Sequence, residues 1–412
     1  MAFILTLLMG LLPLALQAQE LPEYFVPPRS AAMGGASVGV SHDESSIWTN
    51  PAGIGRIRKV RARSSVHMVK VPNLVGGSNN EGRQFYSSFQ SQAALNQDSK
   101  PWENIQRVIE ATESASQQAI WLRASANPIV FFEAGKNTPV AIGPYTNNKV
   151  KSWIDPADSG QIRVDTILDT GAVLGLGLHN RTNRWNLGLQ LRPIQRYALE
   201  DKIPVSLLDT AQRSELQSRI ESSANIGTAL AIDAGMMFTV ADYWFPTLGI
   251  AVFNLPTGCY ENYLNPYDAT RHSICGTVFN GSVRNKEALS VVDPTDIRIG
   301  VSIMPRIFRK ITLRFAADLH HLYVTDGTNF YGLPGLEPLR QLHGGVEVFV
   351  GNPLMISPFS ARIGFAQGFL SGGFGLRMGS FALDATFYGA DISENESPRE
   401  DRRTVVGASL EF

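Results

Sequence analysis

The chain has only two cysteines in 412 residues and a net charge of −1, and after its first eighteen residues it has no apolar stretch long enough for a spanning helix. Cys259 and Cys275 have no close second ligand, which excludes a cysteine-based zinc module. In an exported chain the pair reads as a loop disulfide, and closing a loop of that size contributes roughly 3 kcal/mol. Near-neutral charge and a pI near 6.7 exclude the concentrated basic surface that nucleic acid requires. Catalytic signatures are also missing. The seven histidines are scattered along the sequence, no serine sits in a nucleophile elbow, and "SGGFG" lacks the Lys-Ser/Thr of a phosphate loop. The expectation is therefore a protein without metal or cofactor and not an enzyme.

The one long apolar run, Met1 to Ala18, is broken by Pro13 and is short for a membrane span. It reads as a signal peptide over residues 1–18. From Val60 onward apolar and small residues alternate. Trp185, Leu187, Leu189 and Leu191 oppose Asn186, Gly188, Gln190 and Arg192, while Ile311, Leu313, Phe315, Ala317 and Leu319 oppose Thr312, Arg314, Ala316, Asp318 and His320. A soluble sandwich alternates too, but its strands are commonly five or six residues and its polar face carries Lys, Glu and Thr. Here the runs are nearer ten, and the polar face is built of Gly, Ala and Ser with sparse charges.

About fourteen such strands are expected, the first at 57–70 and the second at 124–135. Short links follow the even-numbered strands ("GKN", "NRTN", "DYW", "PRIF") and longer ones follow most odd-numbered strands. That asymmetry marks an all-β, transmembrane antiparallel barrel over residues 57–412, in the outer membrane of a Gram-negative (diderm) bacterium and in contact with its lipid. The final strand, ending in Phe412, resembles the signal read by the barrel assembly machinery. Helical stripes place external helices at about 99–123, through Trp102, Ile105 and Ile109, and at 204–222, through Val205, Leu208, Leu216 and Ile220.

Residues 19–56 suit neither strand nor ordinary helix. In "MGGASVGVSHDESSIWTNPAGI", Gly34 and Gly35 permit close backbone approach, Ser41 or Asp43 can cap a short turn, and Asn50-Pro51 is a helix start. This stretch resembles the amino-terminal hatch of the FadL/TodX-type outer-membrane transporters, with Asp43, Asn50, Pro51 and Ala52 matching its motif. The resemblance implies a plug inside a monomeric barrel and a passive channel for hydrophobic small molecules such as long-chain fatty acids. PorV-like barrels share the motif, so the alternative is a non-transporting scaffold for a secretion or surface partner. The resemblance also implies sideways release through a gap in the third strand, where Gly143-Pro144 stands, the alternative there being a plain turn that ends a shorter strand. The inward face is expected to carry Arg298, Arg314, Asp318, His343, Glu347, Arg362, Arg377 and Asp384. These could clamp a cargo carboxylate, but pairing with one another and with the hatch is the more ordinary arrangement.

Overall fold

A computed structural model describes residues 25–57, 66–83, 119–135, 137–155, 158–208, 213–264, 271–282, 291–308, 311–325, 329–332, 338–350, 358–391 and 400–412. The signal peptide expected at 1–18 lies outside the described residues. Fourteen strands close into one antiparallel ring. In chain order they are β1 (Val66–Asn79), β2 in two pieces (Ile120–Ala126 and Ile129–Gly135), β3 (Thr138–Asp155), β4 (Asp158–His179) and β5 (Trp185–Pro204), followed by β6 (Asn225–Thr239) and β7 (Thr247–Phe253). The second half comprises β8 (Asp296–Ile303), β9 (Ile311–Thr325), β10 (Leu342–Val350), β11 (Phe359–Ala366), β12 (Phe369–Met378), β13 (Phe381–Asp391) and β14 (Glu400–Glu411). Closure is made by β14 on β1, with Leu74 opposite Ala408 and with Val69 and Phe412 exchanging both backbone hydrogen bonds. A closed ring leaves no unpaired edge to face hydrocarbon.

The alternation visible in the sequence sets the two faces. Leu174, Leu176, Leu178, Leu187 and Leu189 point outward and stay 39 to 47 % exposed, while Val173, Gly175 and Gly177 between them are buried inside. The outward row continues through Ile226, Leu230, Leu248, Ile250, Ile299, Val301 and Leu319. An apolar belt of that extent is the lipid face of a membrane barrel.

Two boundaries differ from expectation. Among the described residues the first strand covers Val66–Asn79 and so runs past the expected end at 70, while Ile57 at its expected start still closes the last turn of the amino-terminal segment. Pro72, Gly76 and Gly77 look like strand breakers, yet a bulge between Lys70 and Asn73 absorbs the proline and lets pairing resume. The helix expected at 99–123 falls mostly outside the described residues, and Ile120 to Arg123 already belong to β2. The second external helix is present as a 3-10 turn (Val205–Leu208) followed by α1 (Arg213–Ser223). Leu216 and Ile220 of α1 pack with Leu207 onto Ile162, Val164, Leu199 and Ile203, where β4 and β5 rise to meet them. That stripe covers the strand ends and is not an open groove.

The amino-terminal segment folds into three short turns of helix, Pro28–Ala32, Ser46–Thr49 and the 3-10 stretch Pro51–Arg56. It touches strands on opposite sides of the ring, which only a position in the lumen allows. A methyl group added at Gly364 of β11 would sit 2.2 Å from the Gly34 amide nitrogen, and one at Gly188 of β5 would sit 2.1 Å from the Pro51 carbonyl carbon. Bare backbone on the inward face is what admits the segment.

Candidate functional site

The lumen charges fall into closed ionic groups. Glu347, with no exposure, sits at the centre of the largest. Arg29 from the amino-terminal segment donates to both its oxygens at 3.1 and 2.7 Å and also holds Asp43. Arg314 and Arg362 reach the same carboxylate at 3.0 and 2.8 Å, and Arg362 also pairs with Asp384. Arg377 pairs with Glu411, which Lys70 also reaches while holding Glu44. Arg298 pairs with Asp296 at 2.6 Å. Asp318 accepts the backbone N–H groups of Ser37 and Val38, fastening the segment to β9. Each lumen arginine expected to be available for a cargo carboxylate therefore already has a carboxylate partner. Sequence reasoning did not single out Arg192 with Asp233 or Arg196 with Asp169 and Asp293. The polar phase of β5 and β6 was the signal for Arg192, Arg196 and Asp233, which leaves Asp169 on β4 and Asp293 on Val292–Pro294 outside it.

Asn50 acts as its position suggests: its side-chain oxygen accepts the Ala52 N–H at 3.0 Å, ahead of Pro51, and its amide donates to the Val38 carbonyl at 2.9 Å. Asp43 accepts the Ser45 N–H at 3.0 Å, capping the turn before Ser46. Gly34 and Gly35 both take positive φ, +66° and +86°, a backbone conformation glycine adopts without strain.

The wall carries an irregularity that spans several strands. β3 is unbroken through Gly143 and Pro144, which pair with Val173 and Ala172 of β4. The interruption lies on the other side, at Asn127-Pro128 between the two pieces of β2, opposite Gly143. Gly143 lets the Pro128 carbonyl come close, since a methyl group there would meet that oxygen at 2.0 Å. On β1 the bulge at Pro72 stands at the same height, and on β5 Pro193 faces Gly171, next to Ala172. Four of five consecutive strands thus place a proline at one level, each removing a ladder donor. Asn73 partly mends the break: its amide donates to the Asn127 carbonyl at 3.1 Å, and its own carbonyl accepts the Asn127 N–H at 2.8 Å. The Asn127 side chain and the Tyr145 hydroxyl remain buried without a hydrogen-bond partner. Against this patch, inside the barrel, Trp48 stacks edge-on to Tyr145 at 5.2 Å and lies 5.0 Å from Phe25.

Above the amino-terminal segment a cavity of about 70 Å³ is lined by Phe25, Trp48, Phe253 and Tyr388, with Arg298 and three histidines on its polar side. Outside the ring, Cys259 and Cys275 are bonded to each other across the hairpin formed by Gly258–Leu264 and Arg271–Val278.

No family model matches the chain and no curated protein matches it in sequence. Solved structures do. The toluene transporter TbuX of Ralstonia pickettii superposes with a TM-score of 0.51 at 11 % identity, over 95 % of this chain and 99 % of its own. The TodX monoaromatic hydrocarbon channel, as its deltaS2 mutant, gives 0.53 at 8 % identity over 95 % and 100 %. Its deltaS2S3 mutant gives 0.51 at 9 % identity over 94 % and 99 %. The chain has the fold of the FadL/TodX-type outer-membrane β-barrels.

Proposed function

We propose that the barrel is a passive channel for uptake of hydrophobic small molecules, with the amino-terminal segment as its hatch and the proline level of β1 to β5 as the sideways exit. The observation that carries this reading is the break in pairing at Pro72 and at Asn127-Pro128, at a level where Pro144 and Pro193 also lack a ladder donor, backed on the lumen side by Phe25, Trp48 and Tyr145. Incomplete pairing is expensive in lipid, so a weakness confined to one level and lined by aromatics suits cargo passing from lumen to bilayer. TbuX and TodX are named for toluene and monoaromatic hydrocarbons, which fits an aromatic-walled cavity. The paired state of Arg298, Arg314, Arg362 and Arg377 favours uncharged cargo over a carboxylate.

The test is uptake of a labelled monoaromatic and a labelled long-chain fatty acid in three strains: wild type, deletion, and the double variant Pro128→Thr with Pro144→Thr. The variant restores two ladder donors and should lower uptake toward the deletion level. Wild-type uptake well above the deletion strain but unchanged in the variant would leave the channel standing and reject this exit. No difference between wild type and deletion for either compound, together with a stoichiometric protein partner on purification, would favour the scaffold reading.

A further inference from the structure

We propose that His320, His321 and His343 bind a divalent first-row transition metal ion on the polar side of the cavity. Their ligand nitrogens all lie within 4.8 Å of one another, the three residues are buried, and all three line the cavity. This inference holds whatever cargo the barrel carries.

The backbone supplies the first argument. Adjacent residues in a regular strand point to opposite faces, so His320 and His321 should not both face inward. They do because the β8–β9 register shifts at this point: Ile297 pairs with Leu322 but Ile299 with Leu319, leaving two β9 residues opposite Arg298 alone. The bulge is completed by His321 at φ +59°, a conformation that disfavours any residue with a side chain. A local distortion that brings a second imidazole to the same spot is what a multidentate site needs.

The second argument is an orphaned atom. His343 Nδ1 donates to the Gly34 carbonyl at 2.6 Å, which fixes its tautomer and leaves Nε2 as a lone pair. That Nε2 is buried with no hydrogen-bond partner. An imidazole donating one nitrogen to a backbone carbonyl and offering the other is the usual posture of a metal ligand. The His320 and His343 rings stack at 3.9 Å, which holds the two imidazoles side by side, and binding one ion requires them to tilt out of that stack. Zinc–imidazole bonds are about 2.0–2.1 Å, which brings three nitrogens closer together than they stand here.

The surrounding charges are compatible with a cation. Asp318 lies 3.4 Å from His320 Nε2, and Asp296 lies 3.7 Å from His321 Nδ1 while accepting that residue's backbone N–H. Arg298, the nearest cation, is paired with Asp296. Three imidazoles select zinc, copper or nickel over magnesium or calcium, and a three-histidine set leaves a fourth position for water or a ligand from the cavity.

The experiment uses the full-length barrel purified in detergent and stripped with chelator, titrated with zinc by calorimetry and with cobalt by visible absorption. Wild type should take up one ion per chain, and cobalt should give the visible bands of a four-coordinate nitrogen site. Two variants test the assignment. His343→Gln can retain a donor toward Gly34 while removing the free imidazole, and His321→Asn supplies a residue that tolerates positive φ. Each should weaken zinc binding by more than the roughly 10–100-fold that loss of a supporting partner costs. Heat-modifiable gel mobility checks that both variants are folded barrels. Failure of the folded wild type to bind one ion per chain, or unchanged affinity in both folded variants, would overturn the proposal.

Discussion

Glu347 shows how much of this barrel's interior depends on single groups. Its two oxygens serve Arg29, Arg314 and Arg362 with no exposure to solvent. Arg29 and Arg362 each have a second carboxylate, Asp43 and Asp384, whereas among the described residues Arg314 pairs with no other carboxylate and otherwise meets the Met304 sulfur and the Phe349 ring. Glu347→Gln therefore leaves one guanidinium buried and uncompensated, with an expected loss of about 3–5 kcal/mol, readable as a lower urea midpoint in detergent. Adding Arg314→Met should recover part of that loss, because the stranded charge is then gone. Independent, additive losses in the double variant would contradict the shared network. Glu347, Arg314 and Arg362 are buried on the phase of their strands that alternation in the sequence marks as polar. Alternation could not show that Arg29 from a segment more than three hundred residues away would complete the group.

The strands were legible wherever alternation ran undisturbed, as in β5, where Leu187 and Leu189 face lipid and Gln190 faces Asp233. Misreadings cluster where one residue departs from the period. Pro72 and Gly76 hid the true extent of β1, the interruption of β2 at Asn127-Pro128 passed unnoticed, and the bulge at His321 turned inward a side chain that strict alternation sends out. Bulges leave little trace in a hydrophobic pattern, because one inserted residue restores the phase further along. The proline at Gly143-Pro144 was visible in the sequence. Its consequence was not, since β3 itself runs straight and its neighbour breaks. The Cys259–Cys275 bond ties together a hairpin additional to the fourteen ring strands, which joins them only at its second strand, through Val292–Pro294 and through Ile274 opposite Thr325 of β9. Reduction should therefore loosen that hairpin and raise its protease sensitivity while heat-modifiable mobility stays unchanged. Maleimide labelling of both cysteines without reductant would show that the bond does not form.

Barrel and amino-terminal segment depend on different forces. The ring is held by antiparallel pairing from β1 round to β14, interrupted among the described residues at the proline level of β1 to β5 and shifted in register also between β8 and β9. The segment is held by close backbone approach at glycines such as Gly188 and Gly364, by Asn50 reaching Val38, and by Arg29 and Asp318. Removing residues 25–56 should consequently leave a folded, heat-modifiable barrel whose lumen is open. Glu347 would keep Arg314 and Arg362, and Asp318 would lose the Ser37 and Val38 donors but face incoming water. In planar bilayers the intact protein should show little ion conductance, because the segment fills the ring and the cavity above it is only about 70 Å³. The deletion should give large, stable conductance steps. Equal conductance in the two forms would mean that the segment does not seal the lumen, and loss of heat-modifiable mobility on deletion would mean that it is part of what holds the ring together.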